Sequence, residues 1–255
     1  MRFFLGTHRP NWLADVRFTN VPLFVSRRTL TAKRLPVACT DWALDSGGFT
    51  ELNLHGGWKT TAAEYVASVR RYQDHVGRLA WAAPQDWMCE PVVLAKTGLT
   101  VEEHQMRTVQ NFLELRTLAP DLPIAPVLQG WSLADYWRCE DLYGRYGVRL
   151  HDEPIVGVGT VCRRQGGADV ANVLSSLAAS GLRLHGFGVK AKGLALSASA
   201  LASADSLAWS FNARRNPPLP GHDKPGGHKN CANCAEYAIA WRDRLLSGLE
   251  VKHAA

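Results

Sequence analysis

Eight short apolar segments alternate along the chain with longer segments of helical periodicity, and this alternation restricts the fold more than any other feature of the sequence. The apolar segments are often followed by Gly, Asp or Gln, as is typical of strands buried on both faces. Strands that alternate with helices indicate a parallel sheet covered by helices. The predicted strands are Phe3–Gly6, Pro22–Ser26, Trp42–Asp45, Leu79–Pro84, Ile124–Gln129, Ile155–Gly159, Leu184–Val189 and Ser206–Ser210.

Several of the intervening segments carry apolar residues at i, i+3 and i+4, which predicts amphipathic helices. Thr60 and Thr100 are the predicted N-caps of the first two, because a Glu follows each of them three or four positions later, close to the capping-box spacing. The predicted helices are Thr61–Val76, Val101–Leu118, Leu133–Tyr146, Ala168–Ser180 and a final helix at Ala235–Leu246.

Eight parallel strands are the number that closes a (β/α)8 TIM barrel, and 255 residues are a typical length for one. We therefore predict an α/β protein with a single barrel domain over residues 1–255, although this length would also permit two small domains. An open doubly wound sheet is the alternative. Such a sheet usually has a glycine-rich phosphate turn after its first strand, and residues 4–8 (Phe-Leu-Gly-Thr-His) do not form one.

The chain is basic, with a formal net charge of +6 and a pI of about 9.1, which favours an anionic partner but indicates nucleic acid only weakly. The sequence has no apolar run long enough to span a membrane, and its first residues lack the apolar region of a signal peptide. We expect a cytoplasmic protein with no membrane partner. Basic residues in or beside predicted loops are Arg163, Arg164, Lys190, Lys192, Arg214, Arg215 and Lys224.

Polar side chains stand at the carboxyl ends of the predicted strands, and in a barrel these ends converge on one mouth, where barrel enzymes hold their active sites. A turn, a helix cap or a backbone hydrogen bond would account for any one of them alone. Three carboxylates and an amide on one face favour a functional site. The strand ends supply Asp45-Ser46-Gly47-Gly48-Phe49, Asp86, Gln129, Gly157, Gly159, Lys190 and Asp205.

The chemistry available to this set is specific. One carboxylate could attack the anomeric carbon of a sugar and hold it covalently while a base departs, and a second could transfer the protons. Asp86 and Gln129 could bind the edge of a purine, since a carboxylate accepts hydrogen bonds and an amide both donates and accepts them. Gly157 and Gly159 would let the backbone approach a flat ligand, and Phe49 could stack on its face.

These residues resemble a known superfamily. Residues 45–49 (DSGGF) are similar to the signature of tRNA-guanine transglycosylases, and the order of the strand-end residues that follow is similar to theirs over about residues 40–245. Within that superfamily, residues 3–8 (FFLGTH) and 205–214 (DSLAWSFNAR) most resemble the DpdA-type DNA transglycosylases of phages and bacterial modification clusters.

The resemblance implies a role for each matching residue. Asp205 matches the nucleophile and Asp45 the aspartate that transfers protons beside the base. Thr160-Val161 follows Gly159 where the tRNA enzymes have a longer glycine series, so the chain departs from the pattern there. The implied substrate-binding residues are Ser46, Phe49, Asp86, Gln129, Gly157, Gly159 and Lys190.

A candidate metal site lies in a segment rich in Pro, Gly, His and Lys, within a subregion at about residues 212–246. His228, Cys231 and Cys234 form an H-x2-C-x2-C motif, and thiolate and imidazole ligands at this spacing suit a structural Zn²⁺. A redox Cys-x-x-Cys pair is the alternative. The family pattern has three cysteines and a distant histidine, which leaves the fourth ligand open between His222 and His253.

The resemblance implies exchange of guanine in DNA for a 7-deazaguanine, such as 7-cyano-7-deazaguanine, through a covalent aspartyl-glycosyl intermediate. The implied partners are DNA, the two bases and accessory DNA-modification proteins, and a phage-encoded enzyme would work in the host cytoplasm. The alternatives are base exchange on tRNA, a non-catalytic zinc-stabilised nucleic-acid binder, and a barrel enzyme for a small phosphorylated substrate. Retention of both Asp45 and Asp205 argues against a pure binder.

Overall fold

A computed structural model of the chain describes residues 1–162, 164, 167–223 and 228–253, with side chains in the last helix described through residue 249. The described residues form an α/β fold with eight strands in one sheet. The strands are β1 (Arg2–Thr7), β2 (Leu23–Ser26), β3 (Trp42–Asp45), β4 (Leu79–Ala82), β5 (Val127–Leu128), β6 (Val156–Val158), β7 (Leu184–Gly186) and β8 (Ser203–Ser206).

The sheet is parallel throughout and curled, with the strand order β4-β3-β2-β1-β8-β7-β6-β5. The first and last strands of the chain are neighbours, since Phe4 of β1 pairs with Asp205 of β8. One isolated parallel bridge between Ala82 and Ile124 also joins the end of β4 to the segment that precedes β5. The prediction of an eight-stranded parallel sheet is confirmed.

Helices follow most of the strands, as expected for parallel crossovers. In the described residues the α-helices are α1 (Gly48–His55), α2 (Ala62–His75), α3 (Pro91–Thr97), α4 (Val101–Leu118), α5 (Leu133–Arg145), α6 (Ala168–Ala179), α7 (Ala191–Ser197), α8 (Ala208–Ala213) and α9 (Ala235–His253). Short 3-10 helices occupy Pro10–Ala14, Val16–Phe18, Arg27–Thr29, Leu150–Asp152 and Ala198–Ala200.

The eighth predicted strand was wrong in position. The strand is Ser203–Ser206, and most of the predicted Ser206–Ser210 lies in the turn and first residues of α8. The strand is polar because Ser203 and Asp205 occupy its concave face, whereas the apolar residues that follow it belong to a helix with a buried Trp209. The fifth strand is also shorter than the predicted Ile124–Gln129, because Pro123 and Pro126 have no N–H to donate to a ladder.

The helix predictions hold closely at α2, α4, α5 and α6, and α9 extends beyond its predicted end. The first capping prediction was wrong by one residue: Thr61, and not Thr60, caps α2 through a capping box with Glu64. The side chain of Thr61 is one residue closer to Glu64, which gives the three-residue spacing that the reciprocal bonds require. The capping box of Thr100 with Glu103 at α4 is confirmed.

Alternation along the strands separates two buried layers. Phe3 and Leu5 of β1 belong to the large cluster shared with the helices, whereas Phe4 belongs to a smaller cluster that comes from strand residues and their flanks. Because side chains alternate between the faces of a strand, Asp205 lies on the opposite face of β8 from Ala204, which packs in the helix-side cluster. The concave face of the sheet therefore carries the polar residues of the site.

Candidate active site

A cavity of about 310 Å³ opens at the carboxyl ends of the strands, and we call it the site cavity. Its walls combine three buried or half-buried aspartates with aromatic and glycine residues, a combination typical of a small-ligand site. The residues that line it are Gly6, Thr7, Phe24, Ser26, Asp45, Gly48, Phe49, Ala83, Asp86, Met88, Glu90, Gly159, Thr160, Cys162, Phe187, Gly188, Asp205 and Leu207.

The DSGGF segment joins β3 to α1, and its residues have separate structural tasks. Asp45 and Phe49 line the site cavity, while Ser46 is buried behind it. Gly47 has φ of +82° at the start of α1, a conformation that L side chains rarely adopt. A Cβ on Gly48 would lie 2.9 Å from the ring of Trp58 and 3.2 Å from the carbonyl oxygen of Asp86, so α1 comes closer to the cavity wall than a side chain here would allow.

Asp86 is held by two hydrogen-bond donors. The hydroxyl of Ser46 donates to Oδ1 at 3.2 Å, and Nε2 of Gln129 donates to Oδ2 at 2.6 Å. The other amide atom of Gln129, Oε1, accepts a hydrogen bond of 2.7 Å from Thr160. Gln129 is completely buried and lies behind Asp86, so its amide orients this carboxylate toward the cavity.

The two carboxyl groups on this side of the cavity hold protons more tightly than ordinary aspartates. Burial raises the pKa of Asp86 from its ordinary 3.8 to about 7, and the charge of Asp45 adds to the rise against the two hydrogen bonds. Burial also raises the pKa of Asp45, and the charge of Asp205 contributes, while hydrogen bonds from Ser26 and Gly47 oppose it. A carboxyl that exchanges protons near neutral pH is suited to acid–base chemistry.

Asp205 faces the first two aspartates from the end of β8 and is only 6% exposed. Its Oδ1 accepts a hydrogen bond of 2.8 Å from the backbone N–H of Gly188. Nε2 of His185 lies 3.3 Å from the same oxygen. Gly188 has φ of +61°, and this turn directs its N–H at the carboxylate.

The structure places the predicted substrate-binding residues at three different depths. Phe49, Asp86 and Gly159 line the site cavity, and Ser46 and Gln129 lie behind Asp86. A Cβ on Gly157 would meet the ring of Phe187 at 2.6 Å, so this glycine makes room for the Phe187 ring on the cavity wall. Lys190 does not line the site cavity; it lines a second cavity beside it.

A second cavity of about 490 Å³ adjoins the first, and we call it the outer cavity. Gly188, Asp205 and Leu207 line both, so the carboxylate of Asp205 stands between a deep pocket and a basic, more open one. Lys190 and Arg214 line the outer cavity. Of the other basic residues singled out in the sequence, Arg163 and Lys224 lie outside the described residues.

Three residues of the site escaped the sequence analysis. Glu90 is buried and lines the site cavity, and Thr160, with φ of +59°, donates to Gln129 and accepts from the N–H of Cys89. His185 is completely buried beside Asp205. Two signals were available: Glu90 follows β4 within a few residues of Asp86, and His185 interrupts the apolar run of β7.

Four potential metal ligands lie together beyond α8: His222, His228, Cys231 and Cys234, with ligand atoms all within 4.8 Å of one another. Sγ of Cys231 lies 3.2 Å from Nε2 of His228 and 3.6 Å from Nδ1 of His222. Tetrahedral coordination at Zn–N of about 2.0–2.1 Å and Zn–S of about 2.3 Å places ligands roughly 3.3–3.8 Å apart, so the cluster fits such an ion. The side chain of His253 lies outside the described residues.

These four potential ligands, which we call the metal cluster, connect to the site through α8. The hydroxyl of Ser210 on α8 donates a hydrogen bond of 2.9 Å to the carbonyl of Ala232, between the two cysteines. Nε2 of His222 lies 3.2 Å from the carboxylate of Glu236, the kind of outer partner that fixes a ligating imidazole. The cluster therefore supports the helix that follows Asp205.

Comparison with known families gives one match that covers the site and the fold together. The family model described as "DpdA: DeoxyPurine in DNA protein A" matches residues 1–254. No curated protein matches the chain. Within the described residues, none of the helices combines the length and apolar character that a membrane crossing requires.

Proposed function

Since the chain belongs to the DpdA family, and so to DNA-modifying enzymes of the transglycosylase type, we propose that it exchanges guanine in DNA for a 7-deazaguanine such as 7-cyano-7-deazaguanine. The observation that carries the proposal is the convergence of Asp45, Asp86 and Asp205 on the site cavity. Base exchange needs a nucleophile, a proton carrier and a group that recognises the base. We assign one of these tasks to each of the three carboxyls.

Asp205 is the proposed nucleophile. Its carboxylate attacks C1′ of the target deoxyguanosine, the C1′–N9 bond breaks, and the bonding electrons leave with guanine. The acid form of Asp45, favoured by its raised pKa, gives a proton to the departing base. The incoming 7-deazaguanine then returns a proton to Asp45, its N9 attacks C1′, and the ester bond to Asp205 breaks. Each group ends the cycle in its starting state, so the exchange consumes no other reactant.

Asp86 is the proposed recognition group. Guanine and its 7-deaza analogues present N–H donors at N1 and N2, and a carboxylate accepts both. Ser46 and Gln129 donate to Asp86, which favours its charged form against the cost of burial. Phe49 supplies an aromatic ring at the same cavity, where it can stack on the base. Lys190 and Arg214 at the outer cavity are placed to attract the phosphates that flank the target.

We propose further that the sheet closes as a (β/α)8 barrel. The hydrogen bonds of the isolated bridge support closure, because Ala82 N–H donates to Pro123 at 2.9 Å and Ala125 N–H donates to Ala82 at 3.0 Å. These bonds lie at the junction between β4 and β5, where the strand order would otherwise leave the sheet open. Active sites of closed barrels lie at the carboxyl ends of the strands, as this one does.

The metal cluster fits zinc by its donor set and spacing. His222, His228, Cys231 and Cys234 would hold the ion and complete a closed tetrahedral site, which suits a structural role. Such a site stabilises the loop between α8 and α9. The chemistry of base exchange is assigned to the aspartates alone.

The test is a covalent trap on the full chain. Oligodeoxynucleotides labelled on the 5′ phosphate are incubated with the protein, then denatured and resolved on a gel, and the exchange of free labelled guanine into the DNA is measured in parallel. The wild type should form an adduct and exchange guanine, and Asp205→Asn should form none. The exposed Asp243→Asn on α9 is the control. An adduct that persists in Asp205→Asn would overturn the assignment of the nucleophile.

The alternative substrate is tRNA, and the same assay separates the two. Labelled guanine is supplied with duplex DNA, single-stranded DNA or total tRNA, and incorporation is measured in each. Incorporation into tRNA alone would contradict the DNA proposal. Mass spectrometry of nucleosides from DNA incubated with 7-cyano-7-deazaguanine or 7-aminomethyl-7-deazaguanine would then identify the inserted base.

A further inference from the structure

A buried histidine on the neighbouring strand contacts the proposed nucleophile. His185 lies on β7, pairs in register with Ser203 of β8, and has no exposed surface. Its two ring nitrogens face two side chains of the neighbouring strand: Nδ1 lies 2.8 Å from the hydroxyl of Ser203, and Nε2 lies 3.3 Å from Oδ1 of Asp205. The mechanism proposed above gives this residue no task.

The surroundings of the imidazole are aromatic. Its ring contacts four others, with centroids 4.6–6.1 Å away, from Phe4, Phe24, Trp81 and Phe187. Close packing of this kind fixes the plane of the ring, so its nitrogens keep their directions toward Ser203 and Asp205. Both ring nitrogens are buried with the ring, and the groups that satisfy them are the hydroxyl of Ser203 and the carboxylate of Asp205.

The partners determine the tautomer. An ionised carboxylate can only accept a hydrogen bond, so Nε2 must carry the proton that faces Asp205. In the neutral ring Nδ1 is then an acceptor, and the hydroxyl of Ser203, which can donate or accept, donates its hydrogen bond to Nδ1. The carboxylate therefore sets the tautomer, and the hydroxyl of Ser203 satisfies the remaining ring nitrogen.

Two donors meet at one oxygen. Oδ1 of Asp205 accepts from the backbone N–H of Gly188 and from Nε2–H of His185, which approach from β7 and the turn after it. A carboxylate with one oxygen held in this way has its rotation fixed. Attack on C1′ then falls to Oδ2, whose lone pairs point in a defined direction.

We propose that His185 is a positioning residue, which holds Oδ1 of Asp205 together with Gly188 so that Oδ2 is aimed at C1′ of the target nucleotide. The inference rests on the function proposed above. The benefit is preorganisation, since a reacting group that is already oriented avoids the cost of ordering in the transition state. Ser203 acts more remotely, through its hydrogen bond to the imidazole.

The experiment compares three variants in single-turnover adduct formation and in steady-state guanine exchange. His185→Leu removes the donor, His185→Gln keeps an N–H donor near the position of Nε2, and Ser203→Ala removes the hydroxyl that holds Nδ1 of the imidazole. We expect His185→Leu to slow adduct formation by about 10- to 100-fold, the range for a lost hydrogen bond to a charged group. The KM for guanine should stay within about twofold, because the base is held by other residues.

The rescue variant separates positioning from packing. His185→Gln should recover most of the rate of adduct formation, and Ser203→Ala should fall between the wild type and His185→Leu. If His185→Gln is as slow as His185→Leu, and both lower the melting temperature equally, the residue is only a core residue and the proposal is overturned. A His185→Leu variant with the wild-type rate would overturn it as well.

Failure of the underlying function gives a different result. Asp205→Asn is run beside the three variants. If Asp205→Asn still forms the adduct, the assignment of the nucleophile fails, whatever the histidine variants do. If Asp205→Asn is inactive while His185→Leu and Ser203→Ala keep full rate, the proposed function stands and the positioning role of His185 falls alone.

Discussion

Nε2 of Gln129 donates a hydrogen bond of 2.6 Å to Oδ2 of Asp86, and this contact gives the buried amide a task different from direct contact with a base. The amide is committed at both ends, since Thr160 donates to its oxygen. We therefore propose that Gln129 acts on a bound base through Asp86. This hydrogen bond lowers the pKa of Asp86, but burial outweighs it and raises the pKa to about 7.

Replacement of Gln129 should consequently change the pH dependence of base binding. In Gln129→Leu the pKa of Asp86 should rise, because a donor that stabilises the charged form is gone. We expect the KM for guanine at pH 7 to increase by about 10-fold or more, with partial recovery near pH 9. Exchange of labelled guanine across this pH range is the measurement. The exposed Gln110→Leu on α4 is the control, and equal pH profiles in the two variants would contradict the role.

Asp86 should also leave a signature in the stability of the protein. Between about pH 4 and pH 7 the folded chain keeps a proton on Asp86 that the unfolded chain has already released. The contribution of this group to the free energy of unfolding is therefore complete below about pH 4, is lost as the pH rises to about 7, and is constant above.

Asp86→Asn removes this dependence. The difference in unfolding free energy between Asp86→Asn and wild type should grow in favour of the variant by up to about 1.4 kcal/mol per pH unit over this window. Urea denaturation at pH 4, 5.5, 7 and 8.5 measures it. A difference that does not change with pH would show that Asp86 titrates at an ordinary pH in the folded chain.

Asp45 should lower the stability of the protein while it serves the proposed reaction. Asp45→Asn removes a buried carboxyl whose pKa is raised by burial and by the charge of Asp205, so the variant should be more stable than wild type at pH 8. Its rate of guanine exchange should fall by about 10²- to 10⁴-fold, the usual contribution of a proton-transferring group. Asp74→Asn, on the exposed face of α2, should change neither quantity. An Asp45→Asn variant with wild-type exchange would exclude the residue as the proton carrier.

The apolar strands could be predicted from the sequence because burial on both faces leaves a clear record there. Trp42–Asp45 was predicted with its observed bounds, and the aspartate that ends it was identified as a site residue. The eighth strand could not be found in this way. Ser203 and Asp205 lie on the concave face of this strand, where Ser203 contacts His185 and Asp205 lines the site cavity, so the strand lacks the apolar run that marks the others.

His185 shows a second limit. A histidine in an apolar strand gives no indication of its partner, because the partner depends on the register between β7 and β8, which aligns His185 with Ser203. The two strands are parallel and are joined by a crossover through α7, so their register depends on how that crossover packs on the sheet. In contrast, the grouping of His222 with the Cys-x-x-Cys motif was predictable, since all four ligands lie within one short loop.

The metal cluster predicts how much zinc the protein binds and which residues hold it. Purified protein should contain about one zinc per chain, and Cys231→Ser or His222→Ala should lose it. The melting temperature should fall by about 5 °C or more, because binding energy that favours only the folded state is removed. Cys39→Ala and His253→Ala should keep the metal. Zinc loss in His253→Ala but not in His222→Ala would exchange the assignment of the fourth ligand.

Gly159 should tolerate no side chain. A Cβ at this position would lie 2.2 Å from Nε2 of Gln129, which is itself held against Asp86. Gly159→Ala must therefore displace the buried amide, and we expect a loss of about 1–3 kcal/mol in unfolding free energy together with an increased KM for guanine. Gly144→Ala on α5 is the matched control. A Cβ there meets nothing within 4 Å, so alanine should stabilise the helix by up to about 1 kcal/mol. Equal effects of the two substitutions, measured by urea denaturation and guanine exchange, would show that the contact between Gly159 and Gln129 does not set the geometry of Asp86.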